Sequence, residues 1–297
     1  MQNTVRRVLL TGATGFVGRQ CVAPLEALGW DVHTVSNRGG AKYKADLLRS
    51  DEATAIIQEI KPHALLHCAW YAKHSSYWSA TENMTWLQAS LHLVSEFIAA
   101  GGKRFVGVGS CAEYDWTTEG EYDERNTPAR PATLYGACKY ALNVAGGALC
   151  RRDGVSFAWA RLFFLFGPHE DQNRFVPSVI RSLMQSERAP CTAGEHIRDF
   201  MDVRDAASAL ARLIDSDVDG TVNIASGEGR LIKEIATTIG RVLNRSDLIA
   251  LGVLPTREND PRVLVAATNR LRSEVRWHPP VSVEQRLAET IEWWRSR

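Results

Sequence analysis

The chain has 297 residues, 35 of them basic and 34 acidic, for a formal net charge of +1. So neutral a surface gives no electrostatic case for nucleic acid or an anionic membrane as partner. Hydrophobic residues make up 45%, enough for a full core in one large domain or a domain with a smaller appendage.

Val5–Leu10 is a short apolar run and reads as the first strand. Gly18–Gly29 carries apolar residues at helical spacing and stops on glycine. Asp31–Ser36 reads as a strand, Glu52–Ile60 as a helix, and Ala64–Ala69 as a strand after Pro62. Thr81–Ala100 is a long amphipathic helix closed by Gly101-Gly102. Phe105–Ser110 follows as a strand, Leu134–Arg152 as a helix and Val155–Phe166 as a strand. The alternation predicts an α/β fold, a doubly wound parallel sheet covered by helices on both faces. Beyond Gly167-Pro168 the pattern is less regular. Helices are expected at Phe175–Gln185, Val203–Asp215 and Val283–Trp294, with Thr221–Ala225 returning to the sheet as a strand.

Only a three-residue apolar run, Val8-Leu9-Leu10, precedes Thr11-Gly12, too short for a signal-peptide core, and no run approaches the ~18 apolar residues of a membrane span. The six cysteines (Cys21, Cys68, Cys111, Cys138, Cys150, Cys191) have no C-x-x-C spacing. They read as reduced thiols in a chain expected in the cytoplasm. His67 and Cys68 are adjacent, so on a strand they face opposite ways. The pair reads as a buried strand end, and no metal is expected.

Three motifs carry the chemistry. Gly12-Ala-Thr-Gly15-Phe-Val-Gly18 follows Val8-Leu9-Leu10 directly. Gly12, Gly15 and Gly18 let the backbone approach a dinucleotide pyrophosphate, which the following helix N-terminus attracts. Thr14, Phe16 and Val17 of the same turn, and Cys68, Ala69 and Trp70 at the neighbouring strand end, are counted with the cofactor-binding residues. Where a carboxylate would accept hydrogen bonds from a ribose 2′-OH, the sequence has Ser36-Asn37-Arg38-Gly39-Gly40. Arg38 suits a 2′-phosphate, with Ser36 and Asn37 as hydrogen-bonding partners, so NADP(H) is favoured over NAD(H). Asp46-Leu47 follow at a distance suited to the adenine. Tyr135 and Lys139 lie four apart on one helix face. The ammonium is expected to lower the tyrosine pKa from its usual ~10 and to hold the nicotinamide ribose. Ser110 ends a strand at the carboxyl edge of the sheet, where its hydroxyl can hold a developing oxyanion.

With these residues assembled, the chain resembles the extended short-chain dehydrogenase/reductase family, the NAD-dependent epimerase/dehydratase type that acts mostly on nucleotide sugars. The likeness includes Thr11–Gly18, Asp46-Leu47, His67-Cys-Ala69, Ser110, Tyr135-x-x-x-Lys139, and Arg161-Leu-Phe through Gly167-Pro168. It continues through Arg198–Asp205, Asn223–Gly227, Arg257–Pro261 and Trp293-Trp294. It implies a Rossmann domain at 1–167 plus about 203–225, and an interleaved nucleotide-sugar lobe at 168–202 and 226–297. It further implies a catalytic triad of Ser110, Tyr135 and Lys139, with substrate contacts at Arg174, Val176, Arg198 and Arg257. A homodimer through the helices Thr81–Ala100 and Leu134–Arg152 is the family expectation.

The departures narrow the activity. Cys111-Ala112 stand where sugar-nucleotide dehydratases carry an Asp-Glu pair, so dehydration is not expected. Ala112 stands where double epimerases carry cysteine, although His169 matches their histidine and is counted as a substrate contact. Phe164 replaces a common diphosphate-binding asparagine. Glu113 reads as a solvent-facing loop carboxylate. Trp70, Tyr71, Tyr77 and Trp78 read equally as a sugar-stacking wall or as packing. What remains is NADPH-dependent reduction of a nucleotide-linked 4-keto deoxysugar. The alternatives are an NAD-dependent C4 epimerase or a non-catalytic cofactor sensor on the same fold.

Overall fold

Val8, Leu9 and Leu10 are wholly buried because β1 (Arg7–Thr11) lies at the centre of a parallel sheet covered on both faces. The structure is a computed structural model, and it describes residues 6–74, 76–256 and 260–297. After β1 come α1 (Gly18–Ala27), β2 (Asp31–Ser36), β3 (Tyr43–Lys44), α2 (Ser50–Ile60), β4 (Ala64–His67) and α3 (Glu82–Ala99). The chain continues through β5 (Arg104–Ser110), α4 (Leu134–Arg152), β6 (Ser156–Leu162), β7 (Phe164–Phe166) and α5 (Phe175–Met184). Then follow β8 (Ala189–Pro190), β9 (Ile197–Asp202), α6 (Val203–Ile214), β10 (Gly220–Ile224), β11 (Gly229–Leu231) and α7 (Ile232–Leu243). The last elements are β12 (Ile249–Ala250), β13 (Val263–Leu264), α8 (Asn269–Ser273) and α9 (Val283–Arg295). Among the described residues no helix is long and apolar enough to cross a membrane.

The large sheet has seven parallel strands in the order β10-β6-β5-β4-β1-β2-β3. Strand order reverses between β1 and β4, which opens a crevice at their carboxyl ends. Side chains alternate between two cores, as the pleat requires. Val8 and Leu10 join Cys21, Leu25, Ala207 and Leu210 under α1 and α6. Leu9 joins Ile57, Leu93, Val94 and Leu142 under α2, α3 and α4.

Two parts of the sequence reading need correction. Val155–Phe166 is not one strand. β6 ends at Leu162, Phe163 carries the chain across, and β7 pairs with β9 in a separate four-stranded sheet with β11 and β13. The unbroken apolar run Leu162–Phe166 conceals that crossing. β9 and α7 were not anticipated. β9 hides behind Arg198, Asp199 and Asp202, all of them buried. Asp199 is satisfied there by Ser226 Oγ and by the N–H groups of Ser226, Gly227 and Ala266. A third core, built from Phe166, Ile180, Leu183, Ile235, Ile239 and Leu287, gathers α5, α7 and α9 beside this sheet.

Candidate active site

The turn after β1 folds tightly against β4. Gly12 has φ +67, and a Cβ there would lie 2.8 Å from the Ala69 nitrogen, while one at Gly18 would lie 2.3 Å from the Gly12 oxygen. Only glycine permits both approaches. Behind the turn, the buried His67 takes the Thr11 hydroxyl on Nδ1 at 2.8 Å and meets Ser90 Oγ through Nε2 at 2.9 Å. Ser90 spends its own proton on the Trp86 carbonyl, so Nε2 must be the protonated nitrogen. Burial pushes the His67 pKa down to about 3, and the ring is a neutral strut. The expectation of a structural strand-end histidine holds.

Val17 precedes α1 without capping it, so no side chain caps the helix's first N–H groups. Phe16 and Val17 are half-buried around them. A cavity of about 620 Å³ opens alongside, lined by Ala13, Thr14, Arg19, Gln20, Arg38, Gly39, Gly40 and His169. Ser36 Oγ lies 3.0 Å from Thr14 Oγ1 and accepts the Arg38 N–H, which ties the end of β2 to the glycine turn. Asn37 and Arg38 are exposed there. Asp46 accepts the Leu48 N–H and Leu47 is buried. The bare helix end, the glycine cradle and two arginines fit the phosphates of a dinucleotide.

Arg19 was missed in the sequence, where only its position next to Gly18 marked it. Its guanidinium bonds the Thr14 carbonyl at 2.6 Å and His169 Nδ1 at 2.5 Å. His169, expected as a substrate contact, is thus tied to the residue that follows the glycine turn. Its ring packs 4.7 Å from Trp293 and lines the cavity beside the glycine turn.

Ser110 ends β5 and opens a short turn over Cys111–Glu113, its Oγ accepting the Ala112 N–H at 3.2 Å. Tyr135 lies in the first turn of α4, which Thr133 caps through the Gly136 N–H. The Tyr135 N–H donates to the Trp78 carbonyl at 3.1 Å. Tyr77 and Trp78 stand edge-on to its ring at 5.0 and 5.8 Å, and Trp116 abuts Trp78 at 5.8 Å. Trp70 is set apart from them, bonded to Asn83 and lying 3.9 Å under the Lys139 ammonium. Lys139 is buried and donates to the Val108 carbonyl at 2.8 Å.

These contacts correct the expected electrostatics. Burial raises the Tyr135 pKa above its ordinary value, Tyr77 adds to this, and the hydrogen bond with Ser110 opposes it. Burial also lowers the Lys139 pKa to about 7, with the nearby Glu113 pulling upward. Desolvation, which penalises both charged forms, outweighs any activation of the phenol by the ammonium.

The structure brings Arg174 to this cluster, its guanidinium 5.7 Å over the Tyr77 ring. Val176 is not open to a ligand through its side chain, because it packs into the third core. The Arg198 side chain is only 2% exposed and pairs with Asp260 at 2.8 Å, so it is not a free cation. It passes 5.3 Å over Phe164, the residue standing in for asparagine. Arg257 lies outside the described residues. Glu113 does not face solvent: its side chain is wholly buried and pairs with Arg161 at 2.9 Å.

Residues 8–225 match the sequence model of the NAD dependent epimerase/dehydratase family. The chain belongs to that family. GDP-6-deoxy-D-mannose reductase of Pseudomonas aeruginosa is 26% identical to it over 98% of both chains. UDP-glucose 4-epimerase of Rhizobium meliloti is 25% identical over 100% of this chain and 98% of that one. The UDP-N-acetylglucosamine 4-epimerase structure from Methanobrevibacter ruminantium M1 superposes with a TM-score of 0.88 at 24% identity, covering 98% of this chain and 99% of that one. The chain is thus an oxidoreductase-type enzyme of the extended short-chain dehydrogenase/reductase class, and its relatives modify nucleotide sugars.

Proposed function

We propose that this enzyme reduces a nucleotide-linked 4-keto deoxysugar with NADPH, and that Ser110, Tyr135 and Lys139 carry the reaction. The observation that carries the cofactor choice is Arg38 beside Arg19 on the glycine-turn cavity, with no carboxylate among residues 36–40 at the end of β2. An anionic 2′-phosphate gains from that pair, whereas a 2′-hydroxyl finds no carboxylate acceptor. Bound in the crevice, the reduced nicotinamide supplies hydride to the substrate carbonyl.

The chain's own groups handle the oxygen. The Ala112 N–H occupies an acceptor position on Ser110 Oγ, and the hydroxyl, which meets Tyr135, can turn its proton onto a substrate oxygen set between the two. Tyr135, whose raised pKa keeps it protonated at neutral pH, donates the proton. Lys139, poised near pH 7, replenishes charge and hydrogen bonding next to it. Tyr77 and Trp78 pack edge-on to the phenol ring and limit its contact with water. The resemblance to a GDP-6-deoxy-D-mannose reductase supports the reductase reading. The epimerases among the relatives support a second reading, C4 epimerisation with retained NAD(H). We further place a homodimer interface on α3 and α4, where Met84 and Val144 are 46% and 51% exposed.

Cofactor titration separates the two readings. NADPH and NADH are titrated by fluorescence against wild type and Arg38→Ala, after the denatured protein has been assayed for carried nucleotide. Loss of charge-assisted bonds worth about 1.5–3 kcal/mol lowers NADPH affinity roughly 10–100-fold in Arg38→Ala. NADH affinity stays within about twofold. Tightly retained NAD(H) and indifference to Arg38 would instead put the epimerase first.

A further inference from the structure

Glu113 follows Ser110 by three residues and lies beneath it. One carboxylate oxygen accepts the Ser110 N–H at 2.8 Å and Trp159 Nε1–H at 2.9 Å. The other accepts the same indole N–H at 3.0 Å and Arg161 Nε at 2.9 Å. The Arg161 guanidinium in turn stacks 4.3 Å from the Tyr114 ring. Three donors from β5 and β6 therefore hold one carboxylate. Gly109 clears the space for it, since a Cβ there would meet Trp159 Nε1 at 2.1 Å and Glu113 Oε1 at 2.3 Å.

Stability alone does not account for this arrangement. Desolvating a buried ion pair offsets most of its attraction, and apolar side chains of similar volume fill such a space at least as well. What the carboxylate does uniquely is local to the catalytic groups. It fixes the Ser110 backbone from one side while the Ala112 N–H holds Oγ from the other. It also sets a negative charge close enough to act on both Lys139 and Tyr135.

We propose that Glu113 is a positioning residue of the active site, its carboxylate holding the Ser110 backbone and placing a fixed negative charge behind Lys139 and Tyr135. This rests on the reading of those three residues as catalytic. The titratable groups acting on Lys139 are Glu113 and Cys68, with His67 adjacent. Those acting on Tyr135 are Tyr77, Glu113 and Cys111. Of these, Glu113 is the carboxylate common to both. Its charge favours the ammonium and disfavours the free phenolate, which suits a charged lysine beside a tyrosine that must hold its proton until the substrate oxygen takes it.

Two variants separate the charge from the reach. In the full chain, the Lys139 ammonium is titrated by NMR with ¹⁵N-labelled lysine, assigned against Lys139→Met, and the Ser110 amide is followed by hydrogen exchange. Glu113→Gln keeps an acceptor for the Ser110 N–H but removes the charge. It lowers the Lys139 titration midpoint by roughly one pH unit and leaves the amide protected. Glu113→Asp keeps the charge but withdraws the carboxylate by one methylene. It leaves the midpoint near wild type and speeds exchange at Ser110 about tenfold or more, the loss expected when one hydrogen bond opens. An unmoved midpoint in Glu113→Gln overturns the proposal, because a merely structural acid would change only the melting temperature. So does an Asp variant with full protection at Ser110, and that test stands alone if the Gln variant does not fold. Failure of the catalytic reading shows separately, as undiminished turnover in Tyr135→Phe, which neither measurement reports.

Discussion

Tyr135→Phe is expected to lower turnover by about 10²–10⁴-fold, the usual contribution of a positioned proton donor, while NADPH affinity and melting temperature barely move. The separation follows from what each part of the side chain does. The ring packs edge-on against Tyr77 and Trp78, and phenylalanine keeps both contacts. The backbone N–H holds the Trp78 carbonyl whatever the side chain. Only the hydroxyl is lost, and with it the hydrogen bond to Ser110. Initial rates of NADPH oxidation with 4-keto sugar nucleotides measure the effect. Fluorescence titration and thermal melting are run alongside. Because the phenol pKa lies above its ordinary value, the wild-type rate should show no loss from phenol ionisation across neutral pH. A rate within threefold of wild type would remove Tyr135 as the donor under either the reductase or the epimerase reading.

The glycine turn, Ser110, Tyr135 and Lys139 were legible in the sequence because their spacing encodes their geometry. A strand that ends at Thr11, just before Gly12, and a helix that begins at Gly18 bring the glycines together in the turn between them. Tyr135 and Lys139, four residues apart, must share a helix face. The misread residues depend on partners far along the chain. Glu113 looked solvent-facing because Trp159 and Arg161, 46 and 48 residues away, leave no local trace. Arg19 and His169 are 150 residues apart and meet only when the segment after β7 folds back onto α1. Asp199 and Arg198 disguised β9, since a buried polar strand lacks the alternation that identifies strands. Lys139 failed in another way. Its position was correct, but the pair was judged by its separation, whereas the desolvation that governs it comes from Trp70, the interior of α4 and the sheet beneath.

That desolvation makes Lys139→Met an inactivating substitution that should stabilise the protein. The unfolded chain holds the lysine proton up to about pH 10.5 and the folded chain only to about pH 7. Between those values the unfolded state binds more protons, so unfolding free energy rises with pH across that window. The burial penalty is fully present below pH 7 and is gone above about 10.5. At 1.36 kcal/mol per pH unit it amounts to about 5 kcal/mol. Methionine removes it but leaves the Val108 carbonyl without its donor, at about 1–3 kcal/mol. It also forfeits the ammonium–Trp70 contact, at about 0.5–2 kcal/mol. A net gain on the order of 1–2 kcal/mol remains at pH 6, a rise of a few degrees in melting temperature. Glu170 slopes the opposite way: its pKa, raised to about 8 by burial, makes the protein lose stability as pH climbs from about 4.5 to 8. That slope is common to both proteins and cancels in their difference. The variant's advantage should therefore be largest near pH 6 and shrink steadily toward pH 10, while turnover is lost throughout. Paired melting curves at pH 6, 8 and 10 measure it. A variant less stable than wild type at pH 6, or equally displaced at every pH, would mean that Lys139 is charged in the fold without penalty.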